Sequence, residues 1–185
     1  KNIINAYDQK HFKMSKLITM NFNNTINHPH WVINDLKKAF KINKFNLNKK
    51  KTKLFITREG INSLARDVEN KKELIKFLKN KNFLVINPSK LTFLEEIKLF
   101  NSAKIIISLY GAALTNIIFC KNNANVIELR NNFTDDLYKN ITKKAKLNYY
   151  SITSKRIKSN NVKRNFDGSV NVSIRKISNI LTKIY

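Results

Sequence analysis

Lys104-Ile105-Ile106-Ile107-Ser108-Leu109-Tyr110-Gly111-Ala112-Ala113-Leu114-Thr115-Asn116 decides the fold class. Ile105 to Leu109 is nearly unbroken apolar and β-branched, as a central parallel strand covered on both faces must be. Gly111 breaks the strand, and Ala112–Phe119 reads as a helix. Upstream, Thr92 stands three residues before Glu95, the capping-box spacing, with Ile97, Leu99 and Phe100 supplying apolar surface for a helix that ends near Ser102. Further back, Phe83-Leu84-Val85-Ile86 is a strand stopped by Asn87-Pro88. Residues 69–80 place Leu74, Phe77 and Leu78 at helical spacing, and Leu54-Phe55-Ile56-Thr57 is a buried strand ending at Arg58.

Downstream, Val126-Ile127-Glu128-Leu129 is another strand, and Thr134-Asp135-Asp136 opens a helix with its acids at the positive dipole end. Tyr149-Tyr150-Ser151-Ile152 is a strand, residues 154–167 a basic polar loop expected to be mobile, and Ile174–Ile184 a terminal amphipathic helix. Strand and helix alternating with short connections predict an α/β, doubly wound domain built on a parallel sheet. Residues 51–185 form this domain; residues 1–50 are either its first βα segment or the tail of another domain. In that segment Leu17-Ile18-Thr19-Met20 is a candidate strand, residues 21–30 a loop and residues 31–40 a helix. The opening Lys1-Asn2-Ile3 lacks both a Met and a leader pattern, so a processed or truncated piece is expected.

The length of 185 residues and 42% hydrophobic content suit one core, and no apolar run approaches membrane-spanning length. Three Gly and two Pro exclude collagen-like and turn-dense small β architectures. The single Cys120 supplies neither an internal disulfide nor a metal cluster, and cytosolic use fits. Lys and Arg number 36 against 12 Asp and Glu, a net charge of +24 that attracts anionic partners as a class. The joint load of Lys, Asn and Ile is also what an AT-rich gene writes onto solvated surfaces. Nucleic-acid motifs are absent, so nucleic acid is not an expected partner, whereas an anionic membrane surface is a candidate one.

Ligands of open parallel sheets bind outside the carboxyl ends of the strands. Those ends carry Arg58-Glu59-Gly60, Asn87-Pro88-Ser89, Tyr110-Gly111-Ala112-Ala113 and Glu128-Leu129-Arg130. Small residues at the 110–113 turn let a phosphate approach backbone amides, or they only permit tight helix-to-sheet packing. Arg58 and Arg66 offer paired donors to a diphosphate, or are exposed cations without a role. Glu128, an acid inside an apolar strand, needs partners: sugar or ribose hydroxyls, or a neighbouring Lys or Arg. His11, His28 and His30 form no metal constellation; solvated loop positions suit them. No Walker or dinucleotide-binding glycine pattern is present.

Taken in order, several of these pieces resemble glycosyltransferase family 61, whose bacterial members are often labelled capsular polysaccharide biosynthesis proteins. Leu54-Phe55-Ile56-Thr57-Arg58 resembles the family's strand ending in Arg, and Arg66-Asp67-Val68-Glu69-Asn70 its Arg-x-x-x-Asn segment. The strand and Pro turn from Phe83, the helix from Thr92, the turn Gly111-Ala112-Ala113-Leu114-Thr115-Asn116 and the strand Val126-Ile127-Glu128-Leu129 follow in family order. The chain departs from the family pattern at Tyr110, where His is usual, at Glu96, where Gln is usual, and at Ser108, where Gly is usual. A Tyr cannot become a cation near neutral pH, so activity depends on whether that His supplies charge or a proton.

The resemblance implies a Rossmann-like domain, the C-terminal, donor-binding lobe of a two-lobed GT-B enzyme that transfers a sugar from a nucleotide sugar, UDP-sugar favoured, to a glycan acceptor with inversion. It implies no cofactor and no bound metal, surface polysaccharide synthesis, and a cytoplasmic place peripheral to the inner membrane. It also implies that Arg58, Arg66, Tyr110, Gly111, Ala112, Ala113, Asn116 and Glu128 are candidate donor contacts. The acceptor lobe is expected outside this chain. The alternatives are a noncatalytic basic α/β module for nucleic acid or an anionic membrane surface, and a family member kept only as a partner subunit.

Overall fold

A computed structural model describes residues 29–40, 52–58, 66–157 and 167–185. Five parallel strands form one sheet in the order β2-β1-β3-β4-β5. They are β1 (Thr52–Ile56), β2 (Leu84–Ile86), β3 (Ala103–Leu109), β4 (Asn125–Asn131) and β5 (Asn148–Ser154). The helices are α1 (His30–Ala39), α2 (Lys71–Asn80), α3 (Phe93–Ser102), α4 (Leu137–Lys144) and α5 (Ile174–Ile184). The fold is α/β and Rossmann-like.

Two cores explain why β3 reads as continuous apolar sequence. Alternate residues of a strand face opposite sides of the sheet. Leu54, Ile56, Ile106 and Val126 pack with α1, α3 and α4, while Phe55, Ile105, Ile107 and Ile127 pack with α2 and α5. Ile105, Ile106 and Ile107 are all completely buried, so a charge at any of them would meet helix on one side or the other. The outer strands β2 and β5 carry exposed residues instead, Leu84 among them at 49% exposure.

The expected helix at residues 31–40 is α1, one residue displaced, with Phe40 capping it. Its buried Ile33 belongs to the same core as Leu54 and Val126. His30 is therefore the first helical residue rather than a loop residue, with its Nδ1 3.1 Å from Asn34 Nδ2. The candidate strand at Leu17-Ile18-Thr19-Met20, His11 and His28 lie outside the described residues. The capping box is present: Thr92 N donates to Glu95 Oε2 at 2.8 Å and Glu95 N to Thr92 Oγ1 at 3.3 Å.

Two stretches differ from expectation. Ala112–Phe119 is a 3-10 helix, closed by contacts such as Leu114 N to Gly111 O at 2.9 Å. Three residues per turn align Leu114, Ile117 and Cys120, all buried. The region read as one loop over residues 154–167 carries a short strand, β6 (Arg156–Ile157), which pairs antiparallel with β7 (Ser169–Val170). Residues 158–166 lie outside the described residues. No described helix is long and apolar enough to cross a membrane.

Candidate functional site

The strand order places a topological switch point between β1 and β3: the chain leaves β1 toward β2 on one side and returns beyond β1 to β3 on the other. Loops at such a point part to opposite faces and leave a crevice at the strand ends. A hollow of about 150 Å³ lies there, lined by Thr57 and Arg58 after β1, Asn87, Pro88 and Ser89 after β2, Ser108 and Leu109 of β3, and Gly111, Ala112 and Ala113.

Each wall is fastened. Thr57 ties the ends of β1 and β2 together, its N and Oγ1 donating to Ile86 O at 2.8 and 3.0 Å. Asn87 Oδ1 accepts from Ser89 N at 3.2 Å and Ser89 Oγ at 2.9 Å, closing the rim turn. Lys71 Nζ donates to Arg58 O at 3.3 Å and pairs with Asp67 Oδ2 at 2.5 Å, which fixes the backbone from which the Arg58 side chain extends.

Arg58, Arg66 and Gly111 converge. A Cβ placed on Gly111 would lie 2.8 Å from Arg58 Nη1, 3.6 Å from Arg58 Cζ and 3.9 Å from Arg66 Nη1. A side chain at this extended position would push the tip of the Arg58 guanidinium aside, so the glycine leaves room for that guanidinium against the turn. Arg66 is buried, donating through Nη1 to Tyr110 O at 3.1 Å, with Nε 3.3 Å from Asp167 Oδ1.

The other candidates lie around this centre. Ala112 and Ala113 line the hollow. Tyr110 is buried behind the turn, and burial, followed by its hydroxyl's bond to Asp135 Oδ1, raises its pKa above the ordinary phenol value. Asn116 sits one 3-10 turn beyond Ala113 and donates from Nδ2 to Glu96 Oε2. Burial raises the Glu96 pKa, and this hydrogen bond opposes it.

Glu128 lies outside the lining, fully buried on the α4 side of β4. Tyr149 donates its hydroxyl to Glu128 Oε2, and Arg130 Nη1 is 3.9 Å from the same oxygen. Oε1 accepts no hydrogen bond among the described residues. Burial pushes this carboxyl up to about 7 against the opposing pull of Tyr149 and Arg130.

Among the residues of this region that were not sequence candidates are Thr57, Ser108, Asp135 and Asp167. Thr57 and Ser108 could have been marked as polar residues at apolar strand ends. Asp167 is the single acid in the otherwise basic stretch 154–167, a signal of a pairing need that does not name the partner.

The profile of the family Glycosyltransferase 61 matches residues 4–127. The chain belongs to glycosyltransferase family 61. The match takes in α1, the first three strands, Arg58, Arg66 and the Gly111 turn, and ends within β4 one residue before Glu128. No curated protein matches the chain. Membership in family 61 assigns a glycosyltransferase role, which entails a sugar donor and a glycan acceptor.

Proposed function

We propose that this family 61 chain is the donor-binding lobe of a GT-B transferase that takes its sugar from a nucleotide sugar, with a UDP-sugar favoured, for the synthesis of a surface polysaccharide. The observation that carries the proposal is the meeting of Arg58 with the Gly111 turn at the switch-point hollow. A diphosphate there takes paired hydrogen bonds from Arg58 and from turn amides, with Arg66, its charge balanced by Asp167, bracing the turn through the Tyr110 carbonyl. Glycosyl transfer needs this charge where the leaving group develops its own: an acceptor hydroxyl attacks the anomeric carbon with inversion and loses its proton, while the bond to the diphosphate breaks and its electron pair departs on oxygen.

Tyr110, Asn116 and Glu128 support the site from its periphery, no metal or cofactor being required by this scheme. The net charge of +24 suits work at the cytoplasmic face of an anionic membrane.

Calorimetry with UDP and GDP tests the proposal. Saturable binding should weaken about tenfold to a hundredfold in Arg58→Ala, the range for losing hydrogen bonds to a charged group. Binding to any polyanion, falling steeply with salt and showing no nucleotide preference, would replace the proposal with the noncatalytic basic module that the charge alone suggests.

A further inference from the structure

Tyr110 is held on every side yet lines no part of the hollow that begins at the next residue. Its amide donates to Leu129 O at 2.8 Å, and its carbonyl accepts from Arg66 Nη1 at 3.1 Å. Its hydroxyl donates to Asp135 Oδ1 at 3.0 Å. Its ring meets Tyr138 edge-on at 5.2 Å between centroids and has the Arg66 guanidinium over it at 5.7 Å. Asp135 is equally fixed. The same Oδ1 accepts from Leu137 N at 3.0 Å, joining Tyr110 to the first turn of α4. Arg130 clamps the loop that carries it, donating to Thr134 O at 2.6 Å and Asp135 O at 2.8 Å.

We infer that Asp135 is a positioning residue for the Gly111 turn: by holding the Tyr110 hydroxyl it sets the direction in which residues 111–113 leave β3, and hence where Arg58 and the turn amides meet a donor phosphate. This rests on the donor-site proposal above. Two loops from opposite faces of the sheet share the task. Asp135, beside α4, holds the ring, while Arg66, itself paired with Asp167 beside β7, holds the carbonyl. A turn whose entry residue is held by both its hydroxyl and its carbonyl presents its amides with less ordering left to do when ligand arrives, which lowers the entropic cost of binding.

The test uses the full 185-residue chain. Tyr110→Phe keeps the ring and deletes only the hydroxyl, and Asp135→Ala deletes the other partner. In both, the dissociation constant for UDP should rise roughly threefold to tenfold, the value of one hydrogen bond, and the ligand-free amides of residues 111–113 should exchange hydrogen faster. In Tyr110→Phe the α4 amides should keep their wild-type exchange, because Leu137 N retains its acceptor. Lys139→Ala removes only the exposed ion pair with Asp136 one turn along the helix and should leave both readouts as in the wild type. Unchanged exchange at residues 111–113 in Tyr110→Phe, or equal losses in Lys139→Ala, would overturn the inference. Should the wild-type chain bind no UDP, the donor proposal fails, and the exchange measurement on the ligand-free chain still decides the role of Asp135.

Discussion

An acid within an apolar strand must find partners or give up its charge, and Glu128 does some of each. Tyr149 and Arg130 attend one of its oxygens, yet burial dominates and its pKa is pushed up to about 7. A carboxyl that holds its proton more tightly folded than unfolded makes the folded state most stable below the unfolded pKa, and that advantage is lost as pH rises through the folded value. The chain should therefore lose stability between about pH 4.5 and pH 7 on account of Glu128, by about 3 kcal/mol at most for a shift of this size. Glu128→Gln should flatten this part of the stability profile, measured by urea unfolding across the same range; an unchanged slope would show that Glu128 does not titrate there. The need for partners at this residue was legible in the sequence, as were two alternatives for meeting it. The Arg130 alternative was visible two residues away, whereas the Tyr149 hydroxyl becomes a neighbour only through the pairing of β4 with β5.

Among the elements, those whose apolar residues repeat with one period were readable: the strands around Ile105 and Val126, and the helices from Phe93 and from Ile174, which begin where caps and spacing indicate. The 3-10 form of Ala112–Phe119 was not, because Leu114, Ile117 and Ile118 suit either helix and the packing against α3 and α4 decides. The β6–β7 hairpin escaped for another reason. Two-residue strands have no period, and their partner lies across a basic stretch without apolar pattern. Gly168 is the position on which this hairpin depends. Its φ of +123° disfavours any side chain, and a Cβ there would sit 2.5 Å from Arg156 Cγ and 3.0 Å from Ile157 O. Gly168→Ala should cost about 1–3 kcal/mol, seen as a lower urea midpoint. Because Asp167 is the adjacent residue, the Arg66 pairing should loosen with it. A wild-type midpoint would show that the hairpin adds nothing to the global fold.

For the molecule as a whole, the parallel sheet and its doubly wound layout follow from alternating strand and helix signals, but the order β2-β1-β3-β4-β5 does not, since nothing local says on which side of β1 the chain continues. That order brings Arg58 to Gly111 across 53 residues of chain. It separates Glu128, which shares the carboxyl side of the sheet with them but turns its side chain into the α4 face. The candidate site was thus legible as a set of strand ends, and its division into a ligand-facing group and a supporting group required the fold. The account stands or falls on where a nucleoside diphosphate sits. A crystal structure of the chain with UDP at saturating concentration should show phosphate oxygens within hydrogen-bonding distance of the Arg58 guanidinium and the amides of Ala112 and Ala113; UDP bound elsewhere, or a hollow left unoccupied at that concentration, would contradict it.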